Sequence, residues 1–183
     1  MKQHKPVLFL DVDRTLIDTE QFYAWLGDAR FGRILDVMAG KIEAPDFSAY
    51  LYPDTLDFLR AARATHRIVL LTYTVNPALQ RKKLKGAGLI AHVDDVIFAK
   101  GDGKGLTGKG SEAKAYLARL GHTGFTHIFV DDAPENIAEV KAANPAIRCI
   151  RIDRTQHKKT GNPKDAPLPD QVVSSLTQLL AML

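Results

Sequence analysis

Asp11 and Asp13 stand two residues apart at the end of the apolar run Val7, Leu8, Phe9, Leu10, and Thr15 follows two residues later. A buried strand seldom tolerates carboxylates, because an unpaired charge away from water is costly. The aspartates are therefore expected where a strand emerges at a sheet edge, and their spacing can aim both to one side. Two carboxylates about 4 Å apart repel by roughly 4 kcal/mol at an effective dielectric of 20. Either a cation relieves that repulsion or one aspartate keeps a proton, and both outcomes are chemically useful. Three other stretches carry matching chemistry. RIVLLTYT ends in Thr72, Tyr73 and Thr74, the loop AKGDGKGLTGKGSEAK holds Lys100, Lys104 and Lys109, and HIFVDDAPEN carries Asp131, Asp132 and Asn136.

Such a set suits phosphoryl transfer. Hard oxygen ligands suit Mg²⁺, which takes one or two carboxylates and keeps several waters. An ionised aspartate can attack phosphorus and form an aspartyl-phosphate. A second carboxyl can protonate the leaving oxygen and later activate water. A lysine with hydroxyl or amide donors can hold the charge of the transferring group.

These residues meet only if the chain places them on one edge. Strand-like and helix-like segments alternate. Strands are predicted at Val7–Val12, Arg67–Thr72, Asp95–Ala99, Thr126–Val130 and Ile147–Ile152. Helices are predicted at Thr55–Ala64, Pro77–Lys85, Ser111–Leu120, Pro134–Ala143 and Asp170–Met182. This alternation predicts a three-layer α/β Rossmann-like sandwich with about five parallel strands. In such a sheet ligands bind outside the carboxyl ends of the strands, where all four motifs would converge. Residues 1–183 are read as one domain, with a small helical lid insert at about 19–51. In that insert Phe22, Trp25, Leu26, Phe31, Ile34, Leu35 and Met38 recur at near-helical spacing.

With its sheet edge in view, the chain resembles the haloacid dehalogenase superfamily, in its Mg²⁺-dependent phosphatase branch. The first motif of that family, DxDxT after a buried strand, is met by Asp11, Asp13 and Thr15. Thr72 meets the second motif and a lysine before a helix the third. Asp131 and Asp132, with Asn136 following, meet the fourth. The resemblance implies Asp11 as nucleophile and metal ligand. It implies Asp13 as general acid/base with its carbonyl on the metal, and Asp132 as a further ligand supported by Asp131 and Asn136. Thr72 would hold the phosphoryl group. Lys109 is favoured over Lys100 and Lys104 as the third-motif lysine because a helix is predicted just after it. Dehalogenases of the family lack an acid at the position of Asp13, so its presence points to phosphate esters. Thr15, Arg14, Tyr73, Asn136, Arg154 and Lys158 complete the expected substrate contacts.

Arg14 departs from the small or polar residue common between the second aspartate and the threonine. It is read as a contact to substrate phosphate or a partner for a neighbouring acid. The lid is short for a full cap domain, which predicts an open site for larger substrates or one closed by a partner subunit. The polar segment 153–169 is read as a loop whose Arg154, Lys158 or Lys159 meets an anionic substrate. Asp13 must carry a proton to act as acid, which its neighbours would favour if the phosphate adds negative charge, and activity is expected to fall at alkaline pH as that proton is lost.

GKGLTGKG, from Gly103 to Gly110, nearly matches a phosphate-binding P-loop, but the required hydroxyl arrives one residue late as Ser111. Other readings of the chain are a non-catalytic binding or regulatory domain, or a phosphotransferase or mutase using the same intermediate. The six histidines form no zinc-ligand spacing, and Cys149 is the single cysteine, read as a core residue. No signal peptide or bilayer-length apolar run is seen, and a cytoplasmic location is expected. The net charge of +4 allows anionic substrates. A small phosphorylated molecule is the expected partner. The charge does not require nucleic acid, without excluding it.

Overall fold

The computed structural model describes residues 5–99, 108–121, 124–154 and 167–183. Its centre is a parallel sheet of six strands: β1 (Val7–Leu10), β2 (Arg67–Tyr73), β3 (Asp95–Ala99), β4 (Ile128–Asp131), β5 (Arg148–Ile152) and β6 (Gln171–Val173). The order across the sheet is β3-β2-β1-β4-β5-β6. The chain winds outward from β1 on one side, then returns to wind outward on the other. The carboxyl ends of β1 and β4 therefore flank the point where the winding reverses, the usual place for a ligand in such a sheet.

Strand β1 is buried along its whole length, and its alternate residues feed two cores. Leu8 and Leu10 pack with Ile68, Leu70, Ile128 and Val130 on one face. Val7 and Phe9 pack with Val69, Leu71 and Phe129 on the other. Helix α3 (Thr55–Ala62) and helix α7 (Leu176–Leu180) cover the first face, and α5 (Lys109–Leu120) and α6 (Pro134–Ala143) cover the second. Both faces of the sheet are thus sealed, which explains strands that are apolar throughout.

Between β1 and α3 the chain forms α1 (Thr19–Leu26), α2 (Arg30–Met38) and a 3-10 turn at Phe47–Tyr50. Asp18 caps α1 by accepting from Gln21 N. The ring of Phe22 meets those of Trp25, Phe47 and Tyr50, which docks α1 on the domain. Helix α4 (Pro77–Gly86) follows β2, started by Pro77 and capped by the Asn76 side chain. Lys82 of α4 donates to the Val37 carbonyl at 3.1 Å, so α2 is tied to α4.

The structure corrects the sequence expectation at the C-terminus. A helix is predicted over Asp170–Met182, but Gln171–Val173 forms a sixth strand and only Leu176–Leu180 is helical. Asp170 locks this edge to β5: its N–H donates to the Cys149 carbonyl and its carboxylate accepts from Cys149 N–H, each at 2.8 Å. Two adjacent valines favour a strand, and Ser175 starts the helix afresh by capping Gln178 N. The first strand also ends at Leu10 rather than Val12. No helix among the described residues is long and apolar enough to cross a membrane.

Candidate active site

The site begins in the tight turn after β1. Asp11 continues the sheet by donating its N–H to Val130 O at 2.9 Å. The Val12 carbonyl then gathers the N–H groups of Thr15, Leu16 and Ile17. Arg14 adopts φ 61°, the only non-glycine residue with positive φ among the described residues. That costs conformational energy, and the turn brings Asp13 to face helices α1 and α4. Asp13 Oδ1 accepts from Thr19 Oγ1 at 2.6 Å and Lys83 Nζ at 2.5 Å, and Oδ2 accepts from Gln80 Nε2 at 3.0 Å. Gln80 also donates to Thr72 Oγ1 at 3.1 Å, joining the ends of β1 and β2.

Lys109 enters from the opposite side as the first residue of α5. Its Nζ donates to Asp11 Oδ1 at 2.5 Å and to Asp131 Oδ2 at 2.7 Å, and the residue is only 1% exposed. Its placement follows from how α5 starts. Gly108 takes φ 111°, a conformation that favours glycine. Glu139 Oε1 on α6 accepts from Gly108 N–H and Gly110 N–H at 2.8 and 2.9 Å. Gly110 packs so closely on α6 that a Cβ there would lie 2.8 Å from Ala143 Cβ. The glycine–lysine pattern that imitates a P-loop is, at Gly108 to Gly110, a helix start pressed against its neighbour.

Charge and burial then set the protonation of the two leading aspartates apart. Burial pushes the Asp11 carboxyl well above its ordinary value. Lys109 opposes this, while Asp131, Asp132 and Asp13 add to it. Burial would also raise Asp13, but the Lys83 ammonium, with Thr19 and Gln80, outweighs it and holds Asp13 below the ordinary value. Lys83, which faces Asp13, thus works against the proton that an acid role requires. For Lys109 burial works against the charge, yet Asp11 and Asp131 together raise its pKa above the ordinary lysine value.

No family model matches the chain, and neither does any curated protein. Solved structures do. One described as a haloacid dehalogenase-like hydrolase from Burkholderia xenovorans superposes with a TM-score of 0.71 at 19% identity, covering 98% of this chain and 97% of that one. A haloacid dehalogenase-superfamily phosphatase from Thermococcus onnurineus gives 0.65 at 18% identity, with 97% of each chain covered. The L-2-haloacid dehalogenase of Xanthobacter autotrophicus gives 0.66 at 16% identity, with 98% of each covered. The chain has the haloacid dehalogenase-like fold. Its solved representatives include both dehalogenases and a phosphatase, so the fold alone leaves the reaction open.

On this haloacid dehalogenase-like scaffold, Asp11, Asp131 and Asp132 each present a ligand atom within 4.8 Å of the others. Asn136 lies alongside with a buried Oδ1 that has no partner among the described residues. A cluster of hard oxygens fits a divalent cation such as Mg²⁺. Asp131 is held by several donors: its carboxylate accepts from Ala133 N–H, from Asn136 Nδ2 at both oxygens (3.0 Å each), and from Lys109.

The residues singled out from the sequence mostly come together. Asp11, Asp13, Arg14, Thr72, Tyr73, Lys109, Asp132 and Asn136 line one cavity of about 170 Å³, and Asp131 lies buried beside it. Two residues stand elsewhere. Thr15 is fully buried and its hydroxyl has no partner among the described residues. Arg154 is turned to Asp54, with contacts at 3.0 and 3.2 Å, donates to Thr15 O, and lies 4.1 Å from the centre of the Tyr52 ring. Its guanidinium braces the first loop rather than lining the cavity. Lys158, like Lys100, Lys104 and Lys159, lies outside the described residues. Arg14 pairs with Glu20 of α1 at 2.7 Å while still lining the cavity. Sequence reasoning missed Tyr23, Gln80 and Lys83. The last two are i, i+3 on α4 and so share a face, but the run RKKLK gives no sign of which lysine is buried.

Proposed function

We propose that the protein is a Mg²⁺-dependent phosphatase that hydrolyses a phosphate monoester through an aspartyl-phosphate on Asp11. One observation carries this reading over dehalogenation: a carboxyl group, Asp13, lines the same cavity as Asp11 and is held there by three side chains. A halide leaves as a stable anion and needs no proton. An alkoxide needs one, and Asp13 would give it.

In the first half-reaction an Asp11 carboxylate oxygen attacks phosphorus, the phosphorus–oxygen ester bond breaks, and the leaving oxygen takes a proton from Asp13. The negative charge of an arriving phosphate favours protonation of Asp13 against the pull of Lys83. In the second half, water attacks the phosphorus of the aspartyl-phosphate, Asp13 takes the water's proton, and Asp11 is regenerated. Asp13, ionised once it has given up its proton in the first half, is free to accept this one. Lys109 neutralises Asp11 and Asp131 and keeps Asp11 aimed. Thr72 and Arg14 would hold the transferring group's oxygens. Mg²⁺, held by Asp11 and Asp132 with Asp131 in support, would supply charge stabilisation of the transferring group. Helices α1 and α2 act as a small lid, since α1 contributes Thr19 and Tyr23 to the site.

The test sets two leaving groups side by side: phosphate release from p-nitrophenyl phosphate and chloride release from 2-chloropropionate. The expected result is phosphate release that needs Mg²⁺ and disappears in Asp11→Asn, with no chloride. Chloride release without phosphate release would overturn the assignment.

A further inference from the structure

A second cavity opens beside the first. Its volume is about 360 Å³, and it shares Asp13, Tyr23 and Tyr73 with the carboxylate cavity. The remaining wall is mainly apolar, with Phe22, Phe31, Ile34, Val75 and Leu79 contributed by α1, α2, the loop after β2, and α4. Several polar atoms of this wall are already engaged within the protein. Gln80 and Lys83 are bound to Asp13, the Thr74 hydroxyl accepts from Asn76 N–H, and Asn76 Oδ1 accepts from Leu79 N–H. Asp13 is the only carboxylate in the described lining. A polyol would find few hydroxyl partners here, whereas an aromatic group would meet rings and aliphatic side chains. Phe31 and Val75 are 76% and 89% exposed, large apolar side chains left in water on two different elements of the wall.

We propose that this cavity receives the leaving group of the substrate, and that the leaving group is aromatic: the substrate class is an aryl or arylalkyl phosphate rather than a sugar or polyol phosphate. The inference rests on the phosphatase reading of the Asp11 site, because Asp13 faces both cavities. The oxygen it protonates stands at their junction. A group bonded to that oxygen extends past Tyr23 and Tyr73 into the apolar space. Binding sites of this type are mostly apolar, with a few polar groups fixing orientation. Here Asp13 and its partners fix the ester oxygen, and the lid helices supply the apolar contact.

The test compares kcat/KM for 2-naphthyl phosphate and glycerol 1-phosphate in the wild type, Phe31→Asp, Val75→Asp and the milder Phe31→Ala. All three changes fall on exposed side chains, and melting curves check that each variant folds. The wild type is expected to prefer the naphthyl ester. In the aspartate variants the naphthyl-to-glycerol ratio is expected to fall about tenfold or more, mainly through KM, with a smaller fall in Phe31→Ala. Turnover of both esters with no naphthyl preference, or with a ratio that none of the variants moves, overturns the leaving-group assignment and leaves the phosphatase reading standing. Absence of turnover of either ester by the folded wild type removes the phosphatase reading, and the leaving-group assignment falls with it.

Discussion

Gly110→Ala tests whether the packing of α5 on α6 is what places Lys109. An added Cβ would lie 2.8 Å from Ala143 Cβ and 2.9 Å from the Glu139 backbone carbonyl, against 3.4 Å for ordinary contact. Neither neighbour is a flexible side-chain end, so the helices must part by roughly half an ångström. Overpacking of this kind costs about 1–3 kcal/mol. Alanine recovers up to about 1 kcal/mol through helix propensity, so a cost near the middle of that range, about 2 kcal/mol, leaves a net loss of about 1–2 kcal/mol. For a chain of this length that lowers Tm by roughly 2–8 °C. Lys109 is the adjacent residue, and its contacts at 2.5 and 2.7 Å leave no slack. Since a 1 Å misplacement can cost about 10²-fold in rate, a shift half as large is expected to cost about tenfold in kcat. Differential scanning fluorimetry and steady-state phosphate release measure the two effects on one preparation. A variant with unchanged or higher Tm and the wild-type rate would refute the packing argument.

Three further outcomes follow from the charges around Asp11 and Asp13. Asp13→Asn keeps the shape of the site but removes its proton carrier, so kcat should fall about 10²–10⁴-fold while the fold survives, as read by phosphate release and circular dichroism. Asp13 has a lowered folded pKa, so its contribution to stability is present above its ordinary value of 3.8 and is lost as pH falls through the lowered value. Lys83→Met should therefore lower Tm at pH 7 by more than it does near pH 3, in melts followed across pH. Asp11 has a raised folded pKa, so a proton competes with metal at low pH and is released as pH rises. Mg²⁺ at 100 times its Kd should add about 2.7 kcal/mol of stability, and calorimetry should show its affinity rising with pH across the range in which Asp11 ionises.

Much of the scaffold was legible because burial writes a simple code. Val7–Leu10 and Ile68–Leu71 are continuous apolar runs, and both are central strands buried on two faces. Asp11, Thr72 and Asp131 were legible because a polar side chain at the end of such a run stands at the sheet's rim, and Lys109 because a helix is predicted just after it. The sixth strand was not, because Gln171–Val173 is short and gains its partner only through Asp170 and β5, far away in sequence. Lys83 was hidden for a different reason. It lies in a run of basic residues that reads as a solvated helix face, and only the turn at Arg14 brings Asp13 to it. Arg154 reads as a free cation in a polar loop, yet Asp54, one hundred residues earlier in the chain, claims it.

The central claim is that Asp11 carries the phosphoryl group. The most direct measurement is a rapid acid quench of the wild type during turnover of p-nitrophenyl phosphate with Mg²⁺, followed by peptide mass spectrometry. The account predicts one phosphoryl group on the Asp11 side chain, absent with chelator and absent in Asp11→Asn. Phosphate release that continues in Asp11→Asn, or a phosphoryl group found on any other residue, would contradict it.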